Sequence, residues 1–116
     1  MDSQQFVGVV KQVVRDATIT GMISLLQNPV GRKTIQETKD IVEWYKSLDE
    51  AERRLLLKVI TKSVDIALFG ILCVIDGVRA IEDGPNKGQI ELRYVKDGKV
   101  TMLNLNTSLH ELYNAR

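Results

Sequence analysis

Ile66-Ala67-Leu68-Phe69-Gly70-Ile71-Leu72-Cys73-Val74-Ile75 is the stretch on which the fold turns, an uncharged run closed by Asp65 on one side and Asp76 on the other. It is about half the length a helix needs to cross a bilayer, and carboxylates at both edges are costly in hydrocarbon. The run therefore reads as the core segment of a soluble helix. Leu48, Leu55, Leu56, Val59, Ile60 and Val64 extend it backwards at helical spacing. Asp76-Gly77 ends it, because glycine is favoured just past a helix terminus. The result is one long central helix, from about Leu48 to Ile75.

That helix presents a conflict. Asp65 and Asp76 stand about three turns apart on one face, with Lys58, Lys62 and Arg79 on or beside it. Between the aspartates the same face carries Phe69, Leu72 and Cys73, while the other sides carry Leu68, Ile71, Val74 and Ile75. A helix apolar all round must be covered all round. Leu68, Ile71, Leu72 and Ile75 are accordingly expected to be almost fully buried. Either the remaining helices and a hairpin enclose the helix, or a second subunit or partner covers part of it near Phe69 and Leu72. Gly70 in its middle admits a close neighbouring backbone.

Outward from this spine, Phe6, Val9, Val10, Val13 and Ala17 form one apolar face, and the pattern then jumps to Ile19, Met22, Ile23 and Leu26. The phase change predicts two helices, roughly 3–16 and 19–28, joined near Thr18-Ile19-Thr20. Asn28-Pro29 stops the second, and Pro29-Val30-Gly31 is a turn. A third helix from about Lys33 to Lys46 places Ile35, Thr38, Ile41, Val42 and Tyr45 on one face. Ser47-Leu48-Asp49-Glu50 has the spacing of a capping box for the long helix.

Glu82 to Gly88 is a loop rich in turn residues. Beyond it Gln89–Val95 alternates with period two, Lys99–Asn104 is strand-like, and Asp97-Gly98 between them is a type I′ turn signal. The turn sets Tyr94 opposite Thr101, Leu92 opposite Leu103 and Ile90 opposite Leu105 on a face turned to the helices. Val95 with Val100, Arg93 with Met102 and Glu91 with Asn104 make the outer face. Thr107 or Ser108 caps a last turn carrying Leu109, Leu112 and Tyr113. The expected fold is α+β and mainly helical: about four helices around the long apolar one, then a β-hairpin and a short terminal helix. It forms one domain over 1–116, divided into a helical part (1–83), the hairpin (89–105) and the terminal helix (107–114).

Composition narrows the function classes. The 116 residues are 44% hydrophobic and 27% charged, which is globular composition. The 16 basic and 15 acidic residues are evenly spread and leave no polybasic footprint for nucleic acid. A weak nucleic-acid contact would need Arg32, Lys33, Arg53 and Arg54 on one surface. A single cysteine inside the apolar run reads as a packing thiol in a reducing compartment, and with no secretory signal at the N-terminus the expected location is cytoplasmic.

Catalytic and metal motifs are wanting. Asn28-Pro29-Val30-Gly31-Arg32-Lys33-Thr34 lacks the glycine spacing and preceding strand of a phosphate loop, leaving Arg32, Lys33 and Thr34 at a helix start as a candidate anion contact. His110 is the only histidine, is expected to be partly exposed, and has no ligand-spaced partner. Glu82-Asp83 fits no calcium-loop pattern. Neither a cofactor nor an enzymatic activity is expected. Trp44 sits at the edge of the third helix's apolar stripe, where tryptophans often anchor partners. The sequence is thus read as a cytoplasmic, non-catalytic interaction or regulatory protein of adaptor, inhibitor or immunity type, acting through a helical face and the hairpin. The expected partner is a second copy or another protein. Trp44, Phe69, Leu72 and Met102 are its candidate contacts. A helical module holding a small apolar ligand near Phe69 and Leu72 is the alternative.

Overall fold

The computed structural model describes residues 1–28 and 35–115. The elements run α1 (Ser3–Val9), a π-helix (Val10–Asp16), α2 (Ala17–Gln27), α3 (Gln36–Ser47), α4 (Glu50–Ile75), β1 (Arg93–Lys96), β2 (Lys99–Met102) and α5 (Leu109–Asn114). This is the mainly helical α+β architecture expected, with the hairpin and short terminal helix in place.

The N-terminal helices are joined differently from expectation. The chain does not break near Thr18. It stays helical from Ser3 to Gln27 and absorbs the phase change in the π-helical stretch. Helices closed by i→i+5 bonds have wider turns than α-helices, so side chains four apart stay close to one line. Val10, Lys11, Arg15 and Ile19 are the less exposed positions through this stretch, while Val9 and Val13 are exposed. The sequence-based face is therefore split: Phe6 and Val10 pack against the core, and Val9 and Val13 point outwards.

The capping box of α4 is Asp49 with Glu52, not Ser47 with Glu50. The Glu52 amide donates to Asp49 Oδ1 at 2.8 Å and the Asp49 amide to Glu52 Oε1 at 2.9 Å. Leu48 and Asp49 are both extended, which moves the start two residues on, and the Ser47 hydroxyl donates to the Trp44 carbonyl instead. At the other end Gly77 takes φ +78°, the Val78 amide donates to the Cys73 carbonyl and the Gly77 amide to that of Val74. This is a Schellman termination, which requires the left-handed residue that glycine supplies.

The hairpin has the expected register, Arg93 opposite Met102, Tyr94 opposite Thr101 and Val95 opposite Val100. Asp97 and Gly98 both have positive φ, as a type I′ turn demands. The ladder is shorter than expected. Past Leu92, whose carbonyl accepts from the Leu103 amide at 2.8 Å, the Asn104 side chain replaces backbone pairing. Its Oδ1 accepts from the Leu92 amide, and its Nδ2 donates to the carbonyls of Ile90 and Ile75. Asn104 thereby ties the hairpin to the end of α4. Ile90 and Leu105, expected to pair on the inner face, are exposed.

Burial is concentrated in two groups, with Cys73 on α4 and Leu103 beyond β2 buried besides. Val7, Leu72, Leu109 and Tyr113 form the main cluster, with Phe69, Ile75 and Leu92 packed against it. Leu26, Val42 and Tyr45 are buried outside that cluster, on α2 and α3. The long helix is not enclosed: Leu72 is buried as expected, but Ile71 is 51% exposed and Leu68 and Ile75 are only partly covered. The chain is correspondingly extended. Its radius of gyration is 18.5 Å, against about 13 Å for a spherical domain of this length.

Candidate functional site

The main cluster packs on one side of α4 and leaves the opposite side open. Leu57, Ile60, Val64, Ala67, Ile71 and Val74 follow one another at alternating spacings of three and four, the heptad pattern of a helix that packs along another helix. None of the six is buried, and Leu57, Ala67 and Ile71 are exposed. The charged residues of this stretch, Lys58, Lys62 and Asp65, project from the other side. A seam about 26 Å long, at 1.5 Å per residue, therefore carries no charged residue, with Ile60, Val64 and Val74 half-buried and Leu57, Ala67 and Ile71 exposed. The other exposed apolar residues of α4, Leu55, Val59 and Ile66, alternate with Lys58 and Lys62 and form a mixed surface.

At its N-terminal end the seam merges with a groove of about 470 Å³ between α2, α3 and α4. Ile23, Leu26, Leu57 and Ile60 line it, with Arg53 and Arg54 at the rim. Arg53 is engaged: its Nε and Nη2 donate to the carbonyls of Tyr45 and Lys46, and its guanidinium lies 4.7 Å from the Tyr45 ring centre. Arg54 is 3.8 Å from Glu50. The two arginines line the same groove. Arg32 and Lys33, the other residues considered with them for nucleic acid, lie outside the described residues, as do Thr34, which completes the candidate anion contact, and the turn Pro29-Val30-Gly31.

The candidate partner contacts separate. Trp44 on α3 is 52% exposed. Phe69 is half-buried with its ring edge-on to His110, centres 5.7 Å apart. Leu72 is 2% exposed inside the chain's own main cluster, which leaves it no surface for a partner. Met102 is half-buried, and beside it Val95 and Val100 are exposed on the outer hairpin face. The Phe69–Leu72 side of α4 is thus closed by α5 and α1, and the open side is the one carrying Ala67 and Ile71. Gly70 is approached by a side chain rather than a backbone: a Cβ there would stand 2.7 Å from Arg79 Nη1.

Two polar clusters fasten the covered side. Arg15, directed inwards by the π-helix, donates through Nε to Asp65 Oδ1 at 2.6 Å, and the Tyr113 hydroxyl donates to the same oxygen at 2.7 Å. The Arg15 hydrogen bonds, assisted by that of Tyr113, hold the Asp65 carboxyl below its usual range against the opposing effect of burial. Burial, and then Asp65, push the Tyr113 phenol up to about 12. Lys11 lies 5.5 Å from the Tyr113 ring centre and donates to the Ala115 carbonyl. At the end of α4, Asp76 Oδ2 accepts from the backbone amide of His110 at 2.8 Å and from its ring Nδ1 at 2.6 Å. The Asp76 side chain is 4% exposed and its Oδ1 has no hydrogen-bond partner.

Both clusters close structural joints between α4, α5 and the N-terminal helices. The first of them also lines an open surface pocket with Lys11, Asp16 and Asn114. Among the described residues no three His, Cys, Asp or Glu side chains converge as metal ligands do, and no helix is long and apolar enough to cross a membrane. Cys73 is a free, buried thiol. The seam was open to sequence reasoning through its spacing of three and four, which treating the helix as apolar on every side obscured. Comparison of the chain with protein-family models, with curated proteins and with solved structures returns no match.

Proposed function

We propose that this chain is a non-catalytic interaction protein and that the outer face of α4 is where it meets its partner. The observation that carries the reading is the uncharged seam from Leu57 to Val74, none of whose six residues is buried. Apolar patches of this kind on folded chains mark interaction surfaces. Trp44 on α3 and Val95 and Val100 on the hairpin add exposed apolar surface. The reading includes a reducing, cytoplasmic setting, which rests on the single buried thiol of Cys73.

The test is a photoreactive side chain placed at Ala67, with one at Lys62 on the other side of the helix as control, in cells producing the protein. A discrete adduct of defined mass from Ala67 and none from Lys62 is the expected result. Equal labelling from both positions, or none from Ala67, removes α4's outer face as an interaction surface.

A further inference from the structure

We infer that the occupant of this face is a second copy of the same chain, its α4 lying antiparallel to the first across a two-fold axis between positions 65 and 66. The inference rests on the outer face of α4 being an interaction surface, and three observations select a second copy.

The first is area. The chain exposes 8777 Å², whereas a folded monomer of this mass exposes about 6,400 Å², an excess of roughly 2,400 Å². Obligate homodimers bury about 1,000–2,500 Å² on each protomer. The excess is summed over the whole chain, residues 77–91 included, and is large enough to contain a two-fold contact of that size.

The second is the seam's sequence, which complements itself when reversed. A two-fold between 65 and 66 sets Leu57 on Val74, Ile60 on Ile71 and Val64 on Ala67. Every layer then holds at least one side chain of valine size or larger. A parallel pair would stack Ala67 on Ala67 and leave a gap, which packed helices avoid. The flanking positions Thr61, Ser63, Leu68 and Gly70 carry no charge of their own, and the Arg79 guanidinium lies against Gly70 at one edge; the apolar line itself offers no charge to select a charged foreign chain.

The third is relief. One end of the seam opens into the groove beside Leu57 and Ile60, and towards the other end Ile71 is 51% and Val78 62% exposed, with Val74 lining a second pocket. Reversal sets the exposed Ile71 of each copy against the groove end of the other, twice, as a two-fold contact requires.

Sedimentation equilibrium of the full chain at tens of micromolar tests this. The wild type is expected at twice the chain mass. Ile71→Lys, at a position the protomer does not bury, should raise the dissociation constant by at least about a hundredfold while the helical circular dichroism is retained, because two unpaired charges would enter a dry seam. Ala67→Glu is the second variant and Lys62→Ala the control. In a Cys73→Ala background, Leu57→Cys chains should form disulfides with Val74→Cys chains but not with themselves, since the two copies of residue 57 would stand about 25 Å apart. A monomeric wild type overturns the inference: an adduct of foreign mass from Ala67 then leaves the interaction reading standing, and no adduct removes both. A dimer indifferent to Ile71→Lys and Ala67→Glu removes this face, and a Leu57→Cys homodisulfide removes the antiparallel arrangement.

Discussion

Asp65 and Asp76 lie on the side of α4 against which α1, α5 and the π-helix pack, while Leu57, Ala67 and Ile71 on the opposite side face outwards. The usual distribution puts the charges of a surface helix in water and its apolar stripe in the core. Here each aspartate turned inwards has specific donors, Arg15 and Tyr113 for Asp65 and His110 for Asp76. Asp76, 4% exposed, needs such a partner, while Asp65 is only partly covered; in both cases the hydrogen bonds fix position more narrowly than apolar contact does. The apolar side asks only for area, and this chain has little left to give: α2 and α3 reach the N-terminal end of α4 and stop there.

The largest expected effect separates two neighbours in sequence. Leu72→Ala should lower stability by about 2–5 kcal/mol, the cost of emptying a packed site. Ile71→Ala, measured at low protein concentration so that folding is separated from association, should change it by no more than about 0.5 kcal/mol. Equal losses in urea unfolding would show that both sides are core and abolish the contrast.

The covered side is tested next at its polar joints. His110→Ala removes the ring donor from a carboxylate whose second oxygen already lacks a partner. The loss should be about 1–3 kcal/mol, the cost of an unsatisfied buried polar group. A stability unchanged within about 0.5 kcal/mol would mean that Asp76 reaches water once the ring is gone.

A smaller effect sharpens the role of Tyr113. Tyr113→Phe should cost about 1 kcal/mol near neutrality through the lost bond to Asp65. Its pH signature is more specific. The phenol is raised to about 12 in the folded chain, so its contribution is complete below about pH 10 and is lost as the pH rises towards about 12. Asp65 is lowered, chiefly by Arg15, so its contribution is present above about pH 4 and is lost as the pH falls through the folded value. Chemical unfolding across both ranges should give a shallower alkaline decline for Tyr113→Phe than for the wild type. Identical alkaline limbs would show that the phenol does not hold this joint.

Local chemistry carried much of the fold. Asp97-Gly98 demanded a type I′ turn and with it the hairpin register, and Gly77 stopped α4 where only glycine relaxes. The burial of Cys73 followed from its apolar neighbours. Where two local signals overlapped, Ser47 with Glu50 and Asp49 with Glu52, sequence reasoning chose the wrong one, because the extended backbone at Leu48 comes from the path between α3 and α4. The phase change near Thr18 was legible, but its resolution by a π-helix rather than a break was not. That outcome depends on Arg15 reaching Asp65, fifty positions away.

By itself the sequence determined the helical and hairpin elements, the end of α4 at Gly77, the Asp97-Gly98 turn and the unusual all-round apolarity of residues 66–75, since each follows from the conformational preferences of a few neighbouring residues. Only the tertiary structure decided which side of α4 is covered. Both sides are apolar enough to be core, and the choice falls to partners distant along the chain: Arg15 and Tyr113 for Asp65, His110 for Asp76, and Asn104, whose amide binds the last carbonyl of the helix. Hydrogen bonds and ion pairs have direction where apolar burial has none, so they select one face of a helix that hydrophobicity alone leaves undecided.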